Sequence, residues 1–231
     1  MKFEKTEVFN FEGALRGMRN PMNSWEKSDS KWVPTDEFQN GYRMMKYQIG
    51  LNDLELAQKL VKAGEPHRKF LRQIFVSVDI TAPLYWWKEF DTYKVGTVAN
   101  STSTMHKLAS TPIIKECFEM DDFNFLNNEI MYEYKDFRLS YVLYWEYVLI
   151  PILEGLRKKY LETKDKRYWK ELIRLLPESF LQTRTITMNY ENILNMVKYR
   201  ENHKLTEWSI SFMEWVKSLP YANEFIFINN K

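Results

Sequence analysis

The sequence carries one cysteine, Cys117, and three histidines, His67, His106 and His203, set far apart. A lone thiol forms no internal disulfide and builds no thiolate metal site, and the histidines share no ligand spacing, so no metal centre is expected. Gly-x-Gly-x-x-Gly, the P-loop, His-Glu-x-x-His and Gly-x-Ser-x-Gly are all missing, which removes the common signatures of dinucleotide, mononucleotide, zincin and esterase sites. No apolar run approaches the roughly 20 residues of a membrane span, and Met1-Lys2-Phe3-Glu4-Lys5 lacks an apolar leader core, so a soluble cytoplasmic protein with no membrane partner is expected. An excess of one charge is absent too: 33 Lys+Arg against 31 Asp+Glu leave a net charge of +2, far below what attachment to a phosphate backbone draws on. No nucleic-acid partner is expected.

What is present is an aromatic, core-forming chain. With 45% hydrophobic residues, 15 Phe, 14 Tyr and 8 Trp in 231 residues, one α+β domain spanning 1–231 is expected. The first fifty residues, interrupted at Gly13, Gly17, Asn20-Pro21, Pro34 and Gly41, suggest a short strand and loops. Asn52 offers a cap for a helix burying Leu54, Ala57, Leu60 and Val61, with Gly64 and Pro66 as stop signals. Alternation from Ile74 to Thr81 predicts a strand, ended by Ala82-Pro83 and followed by a short helix over 84–90 and a polar loop over 96–104. Residues 139–160 predict a long helix bent at Pro151, and 168–176 another, with a solvated charged surface. A second strand over 183–188 runs into Asn189, a helix cap that turns Ile193, Leu194, Met196 and Val197 inward. Leu205, Trp208, Phe212, Trp215, Val216 and Leu219 form an apolar stripe of a last helix, for the core or a subunit interface.

Two polar stretches carry chemistry. Thr97 to His106 supplies hydroxyls, the Asn100 amide and an imidazole, suited to donating to phosphate or a base edge, and equally to a surface turn. In Asn189-x5-Asn195-x4-Arg200-x2-His203, Arg200 offers a planar fork for a phosphate; the same residues also suit a cap, a surface amide and a cation compensating the helix dipole.

These stretches are where the sequence resembles the flavin-dependent thymidylate synthases. Leu60-Val61-Lys62-Ala63-Gly64, the strand over 74–81, Ala82-Pro83 and the aromatic helix follow that family's order, as do Leu176-Pro177, Thr187-Met188-Asn189, Asn195 and Arg200. The likeness covers residues 50–110 and 170–218. It implies a central antiparallel sheet flanked by helices, a homotetramer with active sites between subunits, and FAD contacts from Asn189 and Asn195. Lys94 stands at the third position of a flavin-facing Arg-His-Arg triplet, here Thr92-Tyr93-Lys94, and the family's flavin-contacting Thr-Pro-Phe-Glu-His segment is replaced by Lys69-Phe70-Leu71-Arg72-Gln73.

By the same resemblance Arg200 and Ser103 carry the catalytic roles, and Asn100, Ser101, Ser103, His106, Arg200 and His203 contact the substrate, a pyrimidine nucleotide such as dUMP. Thr97 stands for the family's first signature serine, Asn100 and Ser103 match its later Asn and Ser with a one-residue shift, and its final arginine falls on Met105. The implied reaction is C5 methylation of dUMP with FAD, methylenetetrahydrofolate and NADPH, FAD binding being weakened by the lost cations. Two other functions remain open on the sequence: a relative that keeps the nucleotide pocket with another or no activity, and an interaction protein that reuses the fold.

Overall fold

The computed structural model describes residues 1–121, 123, 130–135 and 137–228, and of residues 105 and 106 the backbone alone. The architecture mixes helices with sheets, and the chain divides into two compact units. The larger comprises Phe3–Asp79, Tyr93–Ala99 and Thr185–Lys231; the smaller comprises Met1–Lys2, Ile80–Thr92 and Asn100–Arg184.

The N-terminal fifty residues are more regular than their breakers suggested. They form β1 (Lys2–Phe9), α1 (Phe11–Arg19), β2 (Lys31–Gln39) and β3 (Tyr42–Gln48). Gly17 lies inside α1, where the end of the Gln73 side chain packs against it: a Cβ there would fall 2.6 Å from Gln73 Oε1. Asn40 (φ 52°) and Gly41 (φ 80°) are the two-residue loop of an antiparallel β2–β3 hairpin, a turn that requires positive φ at both positions. Pairing runs from Lys31↔Gln48 to Pro34↔Met45, slips, and resumes at Phe38↔Arg43.

Helix α2 (Leu51–Lys62) starts one residue before Asn52, so Asn52 does not cap it. The cap comes from outside the helix, where the Asp29 carboxylate accepts from the backbone N–H of Asn52 at 3.0 Å and of Asp53 at 3.2 Å. Its far end is as expected, with Gly64 at φ 96° just beyond Ala63.

The strand β4 (Phe75–Pro83) keeps its period of two: Val76, Val78, Ile80 and Ala82 are buried and the residues between them are not. It leads directly into α3 (Leu84–Phe90). The expected loop over 96–104 is partly regular, holding β5 (Val98–Ser101) and the first residue of α4 (Thr104–Lys107). A neighbouring strand explains the difference, since β8 (Leu181–Asn189) supplies backbone partners that composition does not reveal. The four-stranded sheet runs β1-β4-β8-β5.

In the smaller unit, β6 (Met131–Tyr134) and β7 (Phe137–Ser140) form an antiparallel hairpin, so residues 139 and 140 are strand rather than helix. Ser140 then caps α5 (Tyr141–Tyr144), accepting from Leu143 N–H at 3.3 Å. A π turn (Trp145–Leu149) precedes α6 (Ile150–Thr163), so Pro151, which has no N–H to give, sits in the first turn of α6. With α7 (Lys166–Leu175) these elements bury Leu108, Ile113, Phe118, Leu149, Leu153 and Leu172 in one cluster. Cys117 packs against that cluster as a plain thiol.

The larger unit is closed by α8 (Tyr190–Arg200), a π turn (Glu207–Phe212), α9 (Met213–Ser218) and α10 (Ala222–Phe225). Ile193, Leu194, Met196 and Val197 are buried as their spacing requires, and so are Trp208, Phe212, Trp215, Val216 and Leu219. Phe3 stacks on Trp215 at 4.8 Å, and Trp208 meets Phe212 edge-on at 5.1 Å. Among the described residues no helix is long and apolar enough to cross a membrane, and no group of three or more His, Cys, Asp or Glu is placed to hold a metal ion.

Candidate functional site

In the larger unit a network of polar side chains lies around α8. Asn189 begins the helix: its side chain accepts from Asn192 N–H at 3.0 Å, while Asn192 Oδ1 accepts from Asn189 N–H at 3.1 Å. This reciprocal pair is a capping box with asparagine at both ends. Asn192 also donates through Nδ2 to the Val95 carbonyl at 2.7 Å, tying the segment 93–99 to the helix start. Gly96, at φ 77°, fits beneath these amides; a Cβ there would lie 3.0 Å from Asn192 Oδ1 and 3.1 Å from Asn189 Nδ2.

One turn further, Asn195 accepts from Arg68 Nη2 at 3.4 Å. Arg68 Nε donates to Glu191 at 3.1 Å, and Arg72 donates to the other oxygen of the same buried carboxylate and to Glu65 at 2.7 Å. Two arginines and two glutamates thus balance, and the Arg72 that stands in the replaced 69–73 segment is held by carboxylates.

At the end of α8, Arg200 is half-buried. Its Nε donates to the Tyr93 hydroxyl at 2.9 Å, and its guanidinium lies 5.5 Å from the Tyr93 ring centroid and 4.9 Å from that of Trp208. Tyr93 and Trp208 meet edge-on at 6.3 Å. His203 follows in the turn beyond, its Nδ1 accepting from Leu205 N–H at 3.2 Å, which assigns the proton of the neutral ring to Nε2. Lys94 is exposed, and the Thr97 hydroxyl donates to the Tyr93 carbonyl at 2.6 Å.

Of the expected residues, then, Lys94, Asn189, Asn195, Arg200 and His203 belong to the larger unit and Asn100, Ser101 and Ser103 to the smaller. Asn100 and Ser101 are exposed on β5, and the Ser103 carbonyl accepts from Lys107 N–H at 2.9 Å, ahead of α4. The side chain of His106 lies outside the described residues.

The fold resembles that of flavin-dependent thymidylate synthases. Two solved structures of the Helicobacter pylori enzyme ThyX, both with FAD and dUMP, match the chain over nearly its whole length. One has a TM-score of 0.65 at 16% identity, covering 99% of each chain. The other has a TM-score of 0.66 at 17% identity, covering 99% of this chain and 98% of its own. No protein-family model matches the sequence, and no curated protein matches it. At such identity the likeness concerns architecture.

Several residues of the α8 cluster were not singled out by sequence. Asn192 had a signal, an amide three residues after a capping amide, which is the spacing of a capping box. Tyr93 and Trp208 had none, since an aromatic stripe announces core and does not say which ring will carry a cation.

Proposed function

We propose that the protein binds a pyrimidine nucleotide, deoxyuridylate, through Arg200, and methylates its base at C5 with FAD, methylenetetrahydrofolate and NADPH. The observation that carries this reading is the guanidinium of Arg200, oriented by the Tyr93 hydroxyl and flanked by the Tyr93 and Trp208 rings, in a chain whose fold follows ThyX from end to end. A guanidinium held in one plane is prepared for a bidentate phosphate or a base carbonyl, because part of its rotamer entropy is already lost before the ligand arrives.

The donor set fits FAD in kind. Asn189 and Asn195 use their carbonyl oxygens within the protein, at the helix cap and at Arg68, and an asparagine amide nitrogen is a donor with two hydrogens. Gly96 keeps the space beside Asn189 and Asn192 free of a side chain, and Lys94 is an exposed cation within two residues of it. When bound, FAD would supply the reducing equivalents. The chain's own part is to hold: Asn189, Asn195 and Lys94 for the cofactor, and Arg200 for the nucleotide, with His203 in the turn that follows it.

A second reading, nucleotide binding without flavin chemistry, is favoured by Thr92-Tyr93-Lys94, where the family has Arg-His-Arg and where Tyr93 is instead a partner of Arg200. The two separate in one experiment. Purified protein is titrated with dUMP by calorimetry, then assayed for tritium release from 5-tritiated dUMP with FAD, NADPH and methylenetetrahydrofolate. Binding with release supports the enzyme, binding without release supports the second reading, and absence of dUMP binding overturns both.

A further inference from the structure

Away from α8, the larger unit contains an incompletely satisfied arginine. Arg19 is 4% exposed; its Nε donates to Asp53 Oδ1 at 2.5 Å and its Nη1 to the Ser24 carbonyl at 3.3 Å, while Nη2 has no hydrogen-bond partner. Asp53 does not reach Nη2: its Oδ1 accepts from Nε alone, and its Oδ2 accepts from Ser28 Oγ at 2.6 Å, Ser30 Oγ at 2.5 Å and Ser30 N–H at 3.3 Å. A buried cationic donor without a protein acceptor is costly, and each one in a native structure calls for a reason, of which a bound ion is one.

Arg19 lines a cleft of about 230 Å³ whose other cations are Arg16 and Lys31. Glu12, Arg16 and Arg19 recur at i, i+4 and i+7 along α1 and so share one face of that helix. With Arg19 paired to Asp53, the charges left to this cleft among the described residues are Arg16 and Lys31 against Glu12, which accepts from the Trp32 indole N–H at 3.1 Å. Trp32 is half exposed and packs edge-on against Tyr47 at 5.4 Å. Through Glu12, Arg16, Trp32 and Tyr47 the small cleft is continuous with one of about 970 Å³, to which Met45, Lys46 and Tyr221 also contribute.

We propose that this double cleft is a binding site for a nucleoside monophosphate, the phosphate seated at Arg19, Arg16 and Lys31 and the base lying against Trp32. A phosphate monoester matches an unfilled guanidinium donor flanked by two further cations, and the adjoining volume accommodates the rest of the molecule. An apolar ligand would leave Nη2 as it is, and a free inorganic anion would leave the indole and the larger cleft unused. Stacking on an indole accepts any base, so the site selects the class more than the base. It shares no residue with the Arg200 cluster and stands whether or not dUMP binds there.

Adenosine monophosphate is the probe, titrated by calorimetry into the full-length protein. One saturable equivalent is expected for wild type and for Arg200→Ala. Binding should weaken at least tenfold in Arg16→Gln/Lys31→Gln and in Trp32→Ala, whose side chains are exposed enough to be changed without unfolding the protein. Inorganic phosphate and adenosine should each bind at least tenfold more weakly than the monophosphate. The proposal is overturned if the monophosphate does not saturate, if Arg200→Ala alone abolishes binding, if FAD displaces the probe, or if inorganic phosphate binds as tightly.

Discussion

Arg200 and Tyr93 are joined twice, by a hydrogen bond of 2.9 Å from Nε to the phenol and by a guanidinium 5.5 Å from the centre of the same ring. The arginine is therefore a structural member of its unit as well as the proposed nucleotide ligand. Arg200→Ala should lower stability by about 1–2 kcal/mol or more, the phenol hydrogen bond and the partly exposed cation–π contacts being among the interactions lost. It should also remove the dUMP-induced rise in melting temperature. Arg200→Lys keeps the charge and loses the fork, so it should recover part of the stability and little of the nucleotide response. Scanning calorimetry with and without dUMP reads both effects; an unchanged ligand response in Arg200→Ala would confine the residue to its structural role.

Tyr93→Phe tests orientation separately from charge. The ring remains and the phenol acceptor for Arg200 Nε is lost. Affinity for dUMP should fall by up to about tenfold, the effect of losing one orienting hydrogen bond, and the melting temperature should drop modestly, because the same bond of about 1 kcal/mol is lost from the free protein. Calorimetric titration of wild type and Tyr93→Phe side by side decides it.

The capping box gives a sharper stability prediction. Asn189→Ala should cost about 1–2 kcal/mol, because the Asn192 N–H loses its acceptor at a position that is 9% exposed, whereas Asn189→Ser or Asn189→Asp should restore most of it. Gly96→Ala should cost about 1 kcal/mol or more, since alanine at φ 77° is strained and its Cβ would crowd both amides. Chemical denaturation measures the four variants on one scale.

A pH effect is expected at Glu154. Hydrogen bonds from Arg157 hold its carboxyl at about 2, well below the usual 4.5, with the Ile113 N–H adding to them against the opposing effect of burial. A depressed carboxyl contributes stability that is present above the unfolded value and is lost as pH falls from about 4.5 through about 2. Glu154→Gln should therefore be less stable than wild type at neutral pH, and the gap should close as the pH is lowered over that window. Denaturation midpoints at several pH values test the sign.

Much of the architecture was legible because burial follows period. The alternation over β4 and the helical spacing of Ile193, Leu194, Met196 and Val197 both survive in the structure without change. The N-terminal region was obscured because its glycines serve local geometry: Gly41 completes a hairpin loop, and Gly17 admits the Gln73 side chain. β5 was hidden for a different reason, since a short polar strand exists by virtue of the neighbour that pairs with it. Around α8, Asn189 was marked by its cap position, but the pairing of Arg200 with Tyr93 spans 107 residues and has no local signature.

The slip in the β2–β3 hairpin has a consequence for solubility. Between the Pro34↔Met45 and Phe38↔Arg43 pairs three residues oppose one, and the gap is bridged by Arg43 Nε donating to the Thr35 carbonyl at 2.7 Å and by the Thr35 hydroxyl donating to Met44 at 3.1 Å. An aromatic, exposed hairpin carrying Trp32, Phe38 and Tyr42 would otherwise present long open edges on which another chain could add a strand. The irregular register interrupts the ladder and Pro34 has no N–H to give, and both features work against edge-to-edge pairing of a hairpin that exposes its rings.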